Sequence, residues 1–245
     1  MNKYLANVCR ILVMSALVVA CGCKGDHVVT GETRTDSKTV AVGAAKSVQV
    51  SLTMKAGELK VESGANDLMN ANFTYNVPEW KPEVKYHVNG TAGNLDVQQP
   101  GSGTSGSDTR NAWDVHLSNK TPMEMTVNMG AGRATLALSG LDLTKLELNM
   151  GAGETTVDLT GDWKRDLSAE INGGVGRATI RLPREVGVHV DAQGGLGTIN
   201  ASAFKKQGDA YVNDLYGKSP VTLHIEVQGG VGEINLELAG EPPAS

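Results

Sequence analysis

Thr126-Val127-Asn128-Met129-Gly130-Ala131-Gly132-Arg133-Ala134-Thr135-Leu136 decides the fold, because the chain returns to this pattern 21 residues later. The return reads Glu147-Leu148-Asn149-Met150-Gly151-Ala152-Gly153-Glu154-Thr155-Thr156-Val157. Three further copies centre on Gly174-Val175-Gly176, Gly195-Leu196-Gly197 and Gly230-Val231-Gly232. Successive first glycines are 21, 23, 21 and 35 residues apart. A period in the low twenties with one long interval is what stacked coils show.

Each copy alternates on both sides of its glycines, and alternate side chains of a strand share a face. Before the corner the apolar face holds Val127, Leu148, Ile171, Ala192 and Val227. After it the same face holds Leu136, Val157, Ile180, Ala201 and Leu236. The expected fold is all-β: a β-solenoid, a right-handed β-helix-like roll of stacked two-strand coils with Gly-Xaa-Gly corners. Its ladders are expected to be parallel and in register, with Val157 beside both Leu136 and Ile180 and with Leu236 pointing inward.

The outward positions are ordered too. Asn128, Asn149, Asn172, Gln193 and Gln228 form an amide column, which can hydrogen-bond along the stack at the strand spacing of about 4.8 Å. Arg133, Glu154, Arg177, Thr198 and Glu233 form a second column whose first three members alternate in sign, as cross-strand pairing favours. Both columns read as structural.

The N-terminus carries Lys3 and Arg10, then the apolar run Ile11–Val19, then Ala20-Cys21-Gly22-Cys23. That run is shorter than the roughly 20 residues of a membrane-spanning helix and has signal-peptide proportions. Val18-Val19-Ala20-Cys21 resembles a bacterial lipobox. The resemblance implies removal of residues 1–20 and lipidation of Cys21, which would bind the protein to a membrane. Cys23 offers a second register, and a plain signal peptide cleaved near Ala20 is the alternative. Gly22, in place of an Asp, favours the outer membrane where the source has one. The expected location is the bacterial cell envelope, exported and lipid-anchored.

Residues 21–45 lack a sustained apolar period and read as a lipidated tether. Residues 46–119 read as an atypical β region capping the solenoid. Residues 120–240 form the repeat domain and 241–245 a tail. Within the cap, Gly57-Glu-Leu-Lys-Val61 repeats the glycine-then-strand grammar. Gly101–Ser107 reads as a flexible loop. The chain is 40% hydrophobic but only 4% aromatic, which suits thin coils filled by aliphatic side chains. A net charge of −5, without a Lys/Arg stripe, argues against nucleic acid as a partner.

Candidate chemistry is sparse. Gly130-Ala-Gly132 opens like a dinucleotide fingerprint, but a strand follows where a phosphate-binding helix is required. If the last two coils are neighbours, His189 and Asp191 lie beside His224 and Glu226. Those residue types suit Zn²⁺, although solvated side chains on an open face are the ordinary reading. A carbohydrate-active enzyme would need clustered acids beside aromatic sugar platforms. Trp80, Trp113 and Trp163 are scattered and read as covers for coil ends or corners. No catalytic residue, cofactor or metal is assigned, and Cys21 is the one modified site expected.

The insertion in the last interval carries a resemblance. Gly208-Asp-Ala-Tyr-Val-Asn-Asp-Leu-Tyr-Gly-Lys-Ser-Pro220, followed by Leu223-His-Ile-Glu-Val-Gln-Gly-Gly-Val-Gly-Glu-Ile-Asn-Leu236, resembles the bacterial toastrack proteins. These are related to adhesin-like domains and to the C-terminal domain of cell-wall-active antibiotic response proteins. The resemblance implies an envelope lipoprotein and brings no catalytic residues with it. The function expected is a non-catalytic binding, adhesin-like or envelope-stress module, with an envelope protein or glycan as partner. The alternatives are a carbohydrate-active enzyme and a metal-dependent interaction module.

Overall fold

A computed structural model describes residues 28–101, 106 and 108–240. The signal segment, Cys21, most of the Gly101–Ser107 loop and the 241–245 tail lie outside the described residues. The described residues form thirteen strands, beginning with β1 (Arg34–Val40), β2 (Ser47–Ser63), β3 (Met69–Tyr75), β4 (Glu83–Asn89), β5 (Ala92–Gln98), β6 (Asn111–Leu117) and β7 (Met123–Ala137). They continue with β8 (Leu143–Asp158), β9 (Leu167–Leu182), β10 (Gly187–Asn200), β11 (Lys205–Gln207), β12 (Ala210–Val212) and β13 (Thr222–Leu238). Among the described residues the only helical turn is the 3-10 segment Pro78–Trp80.

Six long strands form the rack, in the order β2-β7-β8-β9-β13-β10, all parallel. Each bends at its glycine corner, so one strand supplies two arms. The register is continuous across the corner, where Gly57, Gly132, Gly153, Gly176, Gly232 and Gly197 pair in turn. The inward side chains of both arms share one core that includes Leu148, Val157, Leu136 and Ile180. Val157 pairs with Leu136 on one side and Ile180 on the other, and Leu236 is buried. Burying one such aliphatic side chain stabilises by about 1.5–3 kcal/mol, and the stripe repeats along the rack.

The far end is closed by two separate strands. On β2 the arm before the corner pairs with β5, and β4 covers β5. The arm after the corner pairs with β6, followed by β3 and β1. A side-chain plug replaces the glycine corner there. Gln99 Oε1 accepts from the Lys55 amide and from Asn111 Nδ2, each at 2.9 Å. Asn111 Oδ1 accepts from the indole of Trp113 at 3.0 Å. Trp80 and Trp113 are buried, with Trp113 edge-on to Phe73 at 5.4 Å.

Three expectations change. The tether does not extend to residue 45, because Arg34–Val40 forms β1 along β3. As an outermost strand exposed on most positions, β1 needs no apolar alternation. Asp36 ties it down, accepting from Tyr75 Oη at 2.9 Å and from Lys81 Nζ at 3.0 Å. The hydrogen bonds from Lys81 and Tyr75 hold the Asp36 carboxyl below its ordinary pKa. Second, β2 is itself a coil, so the rack begins well before residue 120. Third, the coils do not stack in chain order. After β10 the chain makes the β11–β12 hairpin, and β13 then inserts between β9 and β10. Buried Asn213 fixes that return: its Oδ1 accepts from the Val188 amide at 3.0 Å and its Nδ2 donates to the Val186 carbonyl at 2.7 Å.

Candidate functional site

On the arm before the corner Asn128, Asn149 and Asn172 of the amide column form a hydrogen-bonded ladder. Asn149 Nδ2 donates to Asn128 Oδ1, and Asn172 Nδ2 donates to Asn149 Oδ1, both at 3.0 Å. The acids two residues earlier join it: Glu147 accepts from Asn149, Glu170 from Asn172 and Glu226 from Gln228. These carboxylates are therefore held as acceptors along a flat face, and do not converge on a cleft.

On the other arm the true strand order completes the charge column. Glu58, Arg133, Glu154, Arg177 and Glu233 follow one another in register, alternating in sign throughout. Arg133–Glu154 is 3.1 Å, Arg177–Glu154 4.0 Å and Arg177–Glu233 2.9 Å. Exposed pairs contribute about 0–1 kcal/mol each, so the column serves register more than stability.

The sequence-derived metal set is only partly assembled. β10 and β13 are neighbours, and His189 pairs with His224 and Asp191 with Glu226. The two imidazoles are 5.8 Å apart between ring centres, and His189 Nδ1 lies 3.5 Å from Asp191 Oδ2. Tyr216 packs against His189 at 4.9 Å, and Glu226 is engaged by Gln228. Among the described residues, the ligand atoms that gather within 4.8 Å belong instead to Glu62, Asp114 and His116. In that cluster His116 turns Nε2 to Asp114 at 3.3 Å and Nδ1 to Glu62 at 3.9 Å. Lys60 Nζ occupies the other Glu62 oxygen at 2.9 Å. Opposite ring nitrogens face the two acids, so this is a polar cluster between β2 and β6 and a poor ion cage.

The corner changes character along the rack. The middle residue of the corner is Ala56, Ala131 and Ala152 in the first three coils, then Val175, Val231 and Leu196. The last three stand 57%, 47% and 74% exposed and form an apolar ridge. The position just before the corner changes in the opposite sense. Met54, Met129 and Met150 fill the interior of the bend, whereas Gly173, Gly229 and Gly194 put no side chain there. The resulting hollow, about 40 Å³, is lined by Met150, Thr155, Ile171, Val227 and Ile234 among others. The Thr155 hydroxyl beside it is buried with no hydrogen-bond partner. An apolar ridge over a glycine-walled hollow is a surface suited to contact.

This architecture is an open all-β rack of parallel coils with outward ladders. Residues 29–181 match the N-terminal domain of toast_rack. The chain belongs to the toast_rack family. Among solved structures, a protein of Clostridium sporogenes provisionally named a cell adhesion protein is 34% identical. That likeness covers 84% of this chain and 100% of the other, with a TM-score of 0.83. A provisionally named adhesin from Bacteroides fragilis is 11% identical over 84% of this chain and 97% of its own, with a TM-score of 0.30. No curated protein matches the chain.

Proposed function

We propose that the chain is a non-catalytic, lipid-anchored protein of the bacterial cell envelope whose rack acts as an adhesin-like binding module. The observation that carries this reading is the likeness to the Clostridium sporogenes protein over 84% of this chain, at 34% identity and a TM-score of 0.83. The surface chemistry supports it. Glu147, Glu170 and Glu226 are tied to amides and Glu154 and Glu233 to arginines, and the apolar ridge is suited to contact. Anchoring rests on Val18-Val19-Ala20-Cys21, and the partner proposed is an envelope protein or glycan.

Cells that produce the chain should be retained under flow on a surface coated with isolated envelopes, and cells lacking it should wash off. In the Cys21→Ala variant, labelled fatty acid should no longer enter the protein, the chain should leave the cells, and retention should fall with it. Equal retention with and without the chain would refute the adhesive role. Persistent labelling of Cys21→Ala would move the anchor to Cys23 or remove the lipobox reading.

A further inference from the structure

The free end of the rack is formed by β10. On one side β13 pairs with it along nearly its whole length. On the other, β12 covers only His189, Val190 and Asp191. Among the described residues nothing pairs with the outer edge from Ala192 to Asn200. The other outermost strands carry charge: Arg34, Asp36 and Lys38 on β1, Glu83 and Lys85 on β4, Lys205 and Lys206 on β11. Charges on an edge strand discourage further strand addition. Ala192-Gln193-Gly194-Gly195-Leu196-Gly197-Thr198-Ile199-Asn200 carries none.

We propose that this edge joins two copies of the chain over residues 192–199, their β10 strands running antiparallel about a two-fold axis through the Gly195–Leu196 corner. Asn200 would face Asp191 of the second copy, whose edge β12 covers, and stays outside the ladder. The stretch matches itself in that arrangement. Ala192, Gly194 and Ile199 share the inward face, as the approach of a Gly194 Cβ to the Ile199 side chain shows. Gln193 and Thr198 share the outward face with their neighbours Gln228 and Glu233. An axis between Gly195 and Leu196 sets Ala192 opposite Ile199 of the second copy and Gln193 opposite its Thr198. Inward residues then meet inward residues, as continuity of a sheet face requires. Each exposed Leu196 falls against Gly195 of the other copy, where no side chain stands in its way.

The bend is compatible with this axis. A two-fold along the bisector of the corner exchanges the two arms, so each arm of one β10 lies on the opposite arm of the other. An isologous contact of this kind closes on itself and does not propagate. Half-buried Ile199 and Ala192, packed against the core at its open end, gain a cover. Net charge of −5 makes copies repel at long range, which favours contact along an uncharged stretch.

The tail contains Pro242 and Pro243, which have no N–H to give to a ladder.

Pairing of copies and attachment to a surface are read by different assays, so this proposal stands apart from the adhesin reading. Sedimentation velocity of the purified full chain over a concentration series should show a reversible monomer–dimer equilibrium. Gln193→Lys with Thr198→Lys places two pairs of like charges across the axis, and should weaken the dimer by more than about tenfold. Gln193→Lys with Thr198→Glu places opposite charges there and should keep the dimer or tighten it. That contrast separates interface repulsion from damage to the fold. A wild-type chain monomeric at every concentration would overturn the proposal, whether its own terminus or another protein covers the edge. So would open-ended assemblies, or two double variants that behave alike.

Discussion

Gly153→Ala should lower the stability of the folded chain by about 3 kcal/mol or more. Gly153 has φ near 131°, a conformation that L side chains rarely adopt. Its missing Cβ matters separately: one added there would overlap the carbonyl oxygen of Gly132 in the adjoining coil. β8 lies between β7 and β9, so it cannot retreat without opening a ladder on one side. Gly140→Ala is the control. Gly140 also has a positive φ, near 82°, but a Cβ there meets only the Ser63 hydroxyl at 3.7 Å. Its cost should be near 1 kcal/mol, the dihedral contribution alone. Equilibrium urea denaturation gives both values, and equal costs would mean that the close backbone approach at the corner is wrong.

Leu136→Ala should cost about 3 kcal/mol, within the 2–5 kcal/mol range of buried Leu truncations. Leu136 is fully buried and pairs with Val61 and Val157 in the neighbouring coils. Those neighbours belong to ladders of their own and cannot collapse into the space. Leu196→Ala, at a position 74% exposed, should stay within about 0.5 kcal/mol of wild type. The same denaturation series compares them. A small effect at Leu136 would mean that the two arms do not share one packed core.

The corners and the inward stripe were legible because they obey a period of two on either side of a glycine. Val127, Leu136, Val157 and Ile180 lie where that alternation puts them. Coil order was not legible from those columns. Exchanging β10 and β13 leaves the apolar, amide and glycine positions unchanged, since Ile199 stands in for Ile234 and Gln193 for Gln228. The Arg/Glu column does break the tie. In chain order Thr198 follows Arg177, whereas Glu233 in that place continues the alternation that electrostatics favours.

β1 was missed for a different reason. An outermost strand with most positions in solvent needs no apolar period, and Arg34–Val40 is held by ladder bonds and by Asp36 instead. The corner surface left a readable trace. Ala131 and Ala152 give way to Val175, Leu196 and Val231, while Met129 and Met150 give way to Gly173, Gly194 and Gly229. That exchange of an inward for an outward apolar group marks where a hollow and a ridge form. The metal set was visible as adjacent columns, yet register alone does not bring ligand atoms together; side-chain direction and competing partners decide that.

The central claim is that the rack binds and does not cleave. Equilibrium binding of the purified full chain to washed cell envelopes, with soluble glycan fragments assayed in the same samples, tests it most directly. The account predicts saturable occupancy, reversible on dilution, with no fragments accumulating over time. Fragments that grow with incubation and vanish on substitution of one outward carboxylate, such as Glu170→Gln, would contradict it.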